Sequence, residues 1–342
     1  MLVAVYHNNK DVRVQSVPKP DIGPDEVLLK VMASGICGTD VVEWYRLPKA
    51  PRVLGHEATG VIDKVGEKVT KYKVGDRVFV SHHVPCNQCC YCLKDSHTAC
   101  ETLHTTNYYP GGFSQYIRVP KINVKNGVYK LPASMSYEEG TFIEPLACAV
   151  RGQRLADIQK DDTVLIIGSG MAGILHIQLS KLKGAQNIVA ADINPDRLKL
   201  AKKFGADHVI DAKDDLPAEL KKVKHGKAAN KVIVCTGAKK AALTALECVD
   251  RGGTILYFAV PDPTIKIPIP ITQFWRNETV IKTSYGAAPK DLKQALQILA
   301  QKQINVIDMI THRLDIRDVT EGFRLVAQAG KSLKVIIEPN RV

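Results

Sequence analysis

Short apolar runs set apart by glycine and proline fill the first 150 residues: 27–32 (VLLKVM), 59–62 (TGVI), 77–80 (RVFV) and 116–119 (YIRV). Runs of this length bounded by turn formers read as β-strands, and their density predicts a compact, mostly β unit over 1–150. The pattern changes further on. An apolar run at 163–167 leads into glycines and then a helical periodicity through 183. Strand patterns recur at 188–191, 208–210, 231–234, 254–260 and 279–283, with a helix around 197–204. Strands alternating with helices imply βαβ units and a parallel sheet, here over 151–286. The tail, 287–342, carries helical patterns at 291–301 and 319–329 and ends in the strand-like 334–337. The expected class is α/β, in two domains.

Length supports that division, since 342 residues exceed what one small core organises. Hydrophobic residues at 45% and charged residues at 24% exclude a disordered chain. The opening MLVAVYHNNK lacks the basic and long apolar regions of a signal peptide. The most apolar stretch, 164–175, is interrupted by Ser169 and three glycines, too short and broken to span a bilayer. A soluble, cytoplasmic protein without membrane attachment is expected. The net charge of +12 raises nucleic acid as a partner, but the lysines are interspersed with acids, as in Lys213-Asp214-Asp215. Mixed charge marks a solvated face, so no nucleic-acid partner is expected.

The most specific local signal follows the run at 163–167. Gly168, Gly170 and Gly173 form G-x-G-x-x-G, with Met171 and Ala172 between, at the start of a helical pattern. The first glycine permits a tight turn, the second lets backbone approach a pyrophosphate, and the third allows close helix–strand packing. Phosphates then sit at the positive helix N-terminus. Asp192 lies nineteen residues after Gly173, at the end of the next strand, where a carboxylate accepts from ribose hydroxyls. Asp192 followed by Ile193 rather than an arginine favours NAD over NADP. Arg197 is a candidate to flank the adenosine.

Nine cysteines are many for a chain of this kind, and five fall within fifteen residues. Cys86, Cys89, Cys92 and Cys100 follow C-x2-C-x2-C-x7-C, a spacing that closes a tetrahedron of thiolates around a structural zinc. Cys90 is an alternative to Cys89. Cys148, Cys235 and Cys248 lie in apolar context and read as core. A second ligand set is dispersed: Cys37 in GICGTD, His56 and Glu57 in GHEA, and Glu144 in FIEP. Cys, His and carboxylate together hold a catalytic zinc with a position left for substrate.

The order GICGTD, GHEATG, GDRV, four-cysteine loop, GGFSQYI, FIEPLAC and GSGMAG resembles the zinc-containing medium-chain alcohol dehydrogenases over nearly the whole chain. It is most similar to their polyol, sugar and threonine dehydrogenase branch, which carries Glu-Pro where alcohol dehydrogenases proper carry a zinc-binding Cys. The resemblance implies a GroES-like catalytic domain at 1–150, completed by 287–342, a Rossmann NAD domain at 151–286, and homo-oligomers, a tetramer before a dimer. It implies that Cys37, His56 and one or both of Glu57 and Glu144 bind catalytic zinc. It further implies that Thr39 takes the alcohol proton and that Thr236 contacts the cofactor. One departure stands out: family members commonly carry a relay His five residues after the ligand Cys, and this chain has Val42, with Glu43 beside it.

The expected substrate is a secondary alcohol of a polyol, sugar or cyclitol. Sorbitol itself is weakened by the lack of an Arg near Ser284. L-threonine is the main alternative, and a zinc-stabilised, non-catalytic regulatory protein the more distant one. Trp44, Tyr45, Tyr109 and Phe113 are candidates equally for a substrate pocket or for the core. Two zinc ions per chain are expected.

Overall fold

The computed structural model describes residues 1–259 and 261–341. The chain divides into two compact units, 1–147 with 287–342, and 148–286.

The first unit is built on an antiparallel-rich β system. Its central strand, Val27–Gly35, pairs with Glu57–Val65 on one side, and with Lys334–Glu338 and Tyr116–Val119 on the other. Arg77–Ser81 and Val128–Lys130 extend the sheet beyond Glu57–Val65. The short apolar runs read from the sequence pack Val27, Leu29, Val31, Ile62, Val78 and Val80 into one core. A second core places Tyr6, Phe113, Phe323 and Ile337 together. Phe113 is fully buried, with its ring edge-on to Phe323, so it is a core residue and not a pocket residue. The tail contributes a real strand here: Lys334–Glu338 runs antiparallel to Val27–Gly35 and parallel to Ile310–Asp315.

The second unit is a six-stranded parallel sheet in the order His208–Asp211, Asn187–Asp192, Thr163–Ile167, Ala229–Val234, Val249–Tyr257, Val280–Thr283. Numbered along this unit the order is 3-2-1-4-5-6, the doubly wound arrangement in which ligands bind at the carboxyl ends where strand order reverses. Thr163–Ile167 is buried at every position, as a strand covered on both faces must be. The fifth strand begins earlier than its sequence pattern suggested, at Val249, and Val260 lies outside the described residues. The helix near 197 starts at Pro195, capped by the Asn194 side chain, because proline suits the first helical turn. Cys248 is core, whereas Cys148 and Cys235 are half-buried. Among the described residues no helix is long and apolar enough to cross a membrane.

Candidate metal centres and nucleotide site

Strand register assembles the first cluster. Gly35, the last residue of Val27–Gly35, stands opposite Glu57, the first of Glu57–Val65. The chain beyond Gly35 delivers Cys37, and the residue before Glu57 is His56. One potential ligand atom from each of Cys37, His56 and Glu57 then lies within 4.8 Å of the others. Glu144, in the first turn of the helix Ile143–Ala156, is half-buried and is not among these three. Glu43 is exposed and accepts the N–H of Asn9, also outside the group.

Glu57 is fully buried and ion-paired with Lys334, which is equally buried. The pair exists because Lys334–Glu338 flanks the same strand from the opposite side, with Gly35 opposite Ile336. A Cβ on Gly35 would fall on Glu57 Oε2 and Lys334 Nζ, so only glycine leaves room for the pair. The lysine ammonium also sits 5.2 Å from the Phe142 ring centroid. Lys334 engages Oε2, while Glu57 Oε1 is buried without a partner. A buried carboxylate oxygen is costly unless it meets a donor or cation. Beside a thiol and an imidazole, that oxygen suits a divalent metal, and the donor set is one that zinc accepts.

Around these three lies a polar collar. His56 Nδ1 is 3.4 Å from Asp40 Oδ1, and Arg46 Nη2 donates to the same oxygen at 3.0 Å. Burial opposes ionisation of Asp40, yet His56 and Arg46 hold its pKa below the usual carboxylate value. Such a carboxylate fixes the tautomer and tilt of a ligating imidazole. The Thr39 hydroxyl is 3.3 Å from Cys37 Sγ and accepts from Arg46 Nη2 at 3.2 Å. The His82 ring centroid lies 4.9 Å from that of His56, the rings tilted by 51°, and 3.8 Å from that of His83. Burial pushes the His82 pKa well down and that of His83 to about 4, so both imidazoles are neutral at pH 7. Tyr108 donates to Gly55 O at 3.3 Å, and burial together with Asp40, Glu144 and Glu57 keeps its phenol protonated.

The second cluster gathers Cys86, Cys89, Cys92 and Cys100. Cys89–Cys92 and Cys100–Cys86 sulfurs are 3.6 Å apart and Cys86–Cys92 4.0 Å. A tetrahedron with Zn–S of about 2.3 Å has edges of about 3.8 Å, so the sulfurs fit a single zinc. The N–H groups of Cys86 and Cys89 point at Cys100 and Cys86 sulfurs at 3.4 Å each, which favours thiolates. Cys90 is exposed and outside the group, which leaves Cys89 as the ligand position.

In the second unit Gly168 follows the first strand with φ +97°, a conformation that favours glycine. A Cβ there would press on Cys235 and Thr236, which follow the fourth strand, so the strand-order reversal is lined by both segments. A Cβ on Gly173 would collide with the Gly168 carbonyl. The helix Met171–Leu182 begins at this turn, with Gly170 as N-cap. Asp192 ends its strand, and its two carboxylate oxygens accept the N–H groups of Ser169 and Asn194 at 2.7 and 2.8 Å. Each oxygen retains lone-pair capacity for a ribose hydroxyl. Arg197 Nη1 lies 3.2 Å from where a Gly170 Cβ would sit, and its Nε is buried without a partner.

The pocket candidates Trp44 and Tyr109 are 40% and 58% exposed, and nothing in the structure assigns them a role. Asp40, Arg46, His82, Tyr108 and Lys334 carry no role in the sequence reading. Asp40 sits within the quoted GICGTD motif, whereas Lys334 reads there only as the first residue of a strand.

Two family models match the chain in order: the alcohol dehydrogenase GroES-like domain at 23–133 and the zinc-binding dehydrogenase model at 172–301. A sorbitol dehydrogenase of Bacillus subtilis is 31% identical, covering 100% of this chain and 98% of its own. A sorbitol dehydrogenase of Mus musculus is 33% identical over 99% and 96%. Among solved structures, galactitol-1-phosphate dehydrogenase from Escherichia coli superposes with a TM-score of 0.87 at 26% identity, covering 99% of both chains. Two ligand clusters, a doubly wound nucleotide fold and end-to-end similarity converge: the chain belongs to the zinc-binding dehydrogenases, in their sorbitol dehydrogenase-like branch.

Proposed function

We propose that this protein is a zinc- and NAD-dependent oxidoreductase that converts a secondary alcohol of a polyol, sugar or cyclitol to the ketone, or the reverse. The observation that carries it is the grouping of Cys37, His56 and the unpartnered Glu57 Oε1 beside the Thr39 hydroxyl. The sorbitol and galactitol-1-phosphate dehydrogenases above supply the substrate class.

In this reading Cys37, His56 and Glu57 hold the catalytic zinc, and Glu144 is the candidate second carboxylate. Cys86, Cys89, Cys92 and Cys100 hold a structural one. Bound zinc supplies Lewis acidity that lowers the pKa of the substrate alcohol. The protein does the rest. Asp40 orients His56, and Thr39 Oγ accepts the hydrogen bond of the substrate hydroxyl. Lys334 balances the Glu57 charge. The turn Gly168, Gly170, Met171, Ala172, Gly173 and the helix N-terminus receive the pyrophosphate, with Arg197 flanking the adenosine. Asp192 takes the ribose hydroxyls, which favours NAD, and Thr236 lines the same end of the sheet.

Residues 1–150 with 287–342 form the catalytic domain and 151–286 the NAD domain. The edge strand Val280–Thr283, with Ile271 and Trp275 71% and 78% exposed, suits burial against a second copy. A homo-oligomer, a tetramer before a dimer, is part of the proposal. So is a cytoplasmic location, since among the described residues no cysteine forms a disulfide, which suits a reducing compartment.

The test measures NADH formation with ethanol, 2-butanol, 2,3-butanediol, sorbitol, myo-inositol, glucose and L-threonine. A polyol or sugar should give the highest kcat/KM, because a site built on hydroxyl contacts rejects analogues lacking them by ~10⁴. A preference for ethanol or 2-butanol would overturn the polyol reading, and L-threonine alone would redirect it.

A further inference from the structure

The Val42 side chain is apolar, so beside Thr39 it offers only its backbone N–H, which donates to the Thr39 carbonyl at 3.4 Å; the Thr39 hydroxyl is nevertheless not left without a partner. The Arg46 guanidinium reaches it from the short helix Glu43–Arg46. Nε donates to the Thr39 carbonyl at 2.9 Å and Nη2 to Thr39 Oγ1 at 3.2 Å. The same Nη2 donates to Asp40 Oδ1 at 3.0 Å, the oxygen facing His56. Arg46 is itself held: its guanidinium lies 4.8 Å from the Tyr45 ring centroid, its backbone N–H bonds to Val42 O at 3.0 Å, and its side chain is only 12% exposed.

A threonine hydroxyl has one proton and two acceptor positions. Arg46 fills one acceptor position, and the O–H direction is taken by Cys37 Sγ at 3.3 Å. One acceptor position remains, and Arg46 fixes where it points. We propose that Arg46 is the positioning residue for Thr39: a rigid fork that locks both its backbone and its hydroxyl rotamer, so that the remaining lone pair meets the substrate hydroxyl. The assignment rests on the role given to Thr39 above. A lysine reproduces the charge that Asp40 requires but not the planar fork that grips the carbonyl and the hydroxyl together.

The competing view is that Arg46 merely neutralises Asp40. A double-mutant cycle separates the two, because residues acting as a unit are non-additive. Arg46→Lys and Thr39→Val are made singly and together in the zinc-loaded, full-length enzyme. Each is assayed with NAD and the polyol that gives the highest kcat/KM in the panel above. Thr39→Val should lower kcat about 10²-fold, and Arg46→Lys at least about tenfold, with KM for the polyol changed less than about threefold. The double variant should fall within about twofold of Thr39→Val alone. A second readout uses Arg46→Ala with millimolar guanidinium chloride, which should recover part of kcat when Thr39 is present and none in Thr39→Val. Independent, multiplying losses would overturn the proposal, as would wild-type kcat in Arg46→Lys; either leaves the Thr39 role standing if Thr39→Val is impaired. Wild-type kcat in Thr39→Val would remove the underlying role and the proposal with it.

Discussion

Replacing Lys334 with methionine removes one partner of an ion pair in which both side chains are wholly buried. Methionine keeps most of the volume beside Phe142, so the perturbation is electrostatic more than steric. Breaking a buried pair by deleting one charge costs about 3–5 kcal/mol, since the remaining charge has no solvent to fall back on. Against a typical folding stability of about 5–15 kcal/mol this is a large fraction. At about 2–4 °C per kcal/mol for domains of this size, the metal-free variant should melt roughly 6–20 °C below the metal-free wild type. Zinc changes the sum. A divalent ion next to Glu57 Oε1 supplies the missing positive charge, so the deficit should shrink when the protein is zinc-loaded. Glu57→Gln added to Lys334→Met removes the stranded charge and should recover most of the metal-free loss. The assay is differential scanning calorimetry of the three proteins, each chelated and zinc-loaded. A Lys334→Met melting point within about 2 °C of wild type without metal would refute the reasoning. A double variant no more stable than Lys334→Met would do so as well.

Cys100→Ser should lower zinc content by one ion per chain and depress the melting temperature more than it changes kcat, because a closed four-sulfur site stabilises its loop and leaves no position for substrate; metal analysis and calorimetry check it. Asp192→Ser with Ile193→Arg should shift the kcat/KM preference from NAD towards NADP, as a carboxylate repelling the 2′-phosphate gives way to a guanidinium that pairs with it. Glu139 is paired with Lys302 and receives the Ser136 N–H; although burial opposes it, these contacts lower its pKa below the ordinary 4.5. A depressed carboxylate pKa stabilises the fold above 4.5, and that stabilisation fades as pH falls below 4.5 through the folded-state value. Glu139→Gln should therefore cost about 1 kcal/mol at pH 7, modest because Lys302 is half exposed, and the difference from wild type should vanish in the acid limb of a melting-temperature profile.

Local chemistry along the chain was enough to read the nucleotide turn and the four-cysteine loop. In both, the grouped residues lie within fifteen positions of one another, so spacing alone constrains geometry: three glycines at a strand–helix junction, or four sulfurs on one loop. The alternation of strands and helices after 163 likewise specified a parallel sheet, because each element carries its own periodicity. The Cys37, His56 and Glu57 group was legible only as a set of candidates, with Glu144 on equal footing. What separates them is the register that sets Gly35 opposite Glu57, a pairing of positions twenty-two residues apart in the chain. Lys334 was invisible as a charged group in the core. A lysine heading an apolar run reads as a solvent-facing strand end, and only the pairing of Lys334–Glu338 with Val27–Gly35 turns it onto Glu57 across a glycine. Phe113 is open between pocket and core in the sequence for the same reason, since an aromatic is drawn equally to either, and tertiary packing against Phe323 decides for the core. Sequence fixes what each residue can do chemically and the local backbone that carries it. Long-range strand register and packing decide which of those groups share a buried, low-dielectric space, where a charge must find its partner.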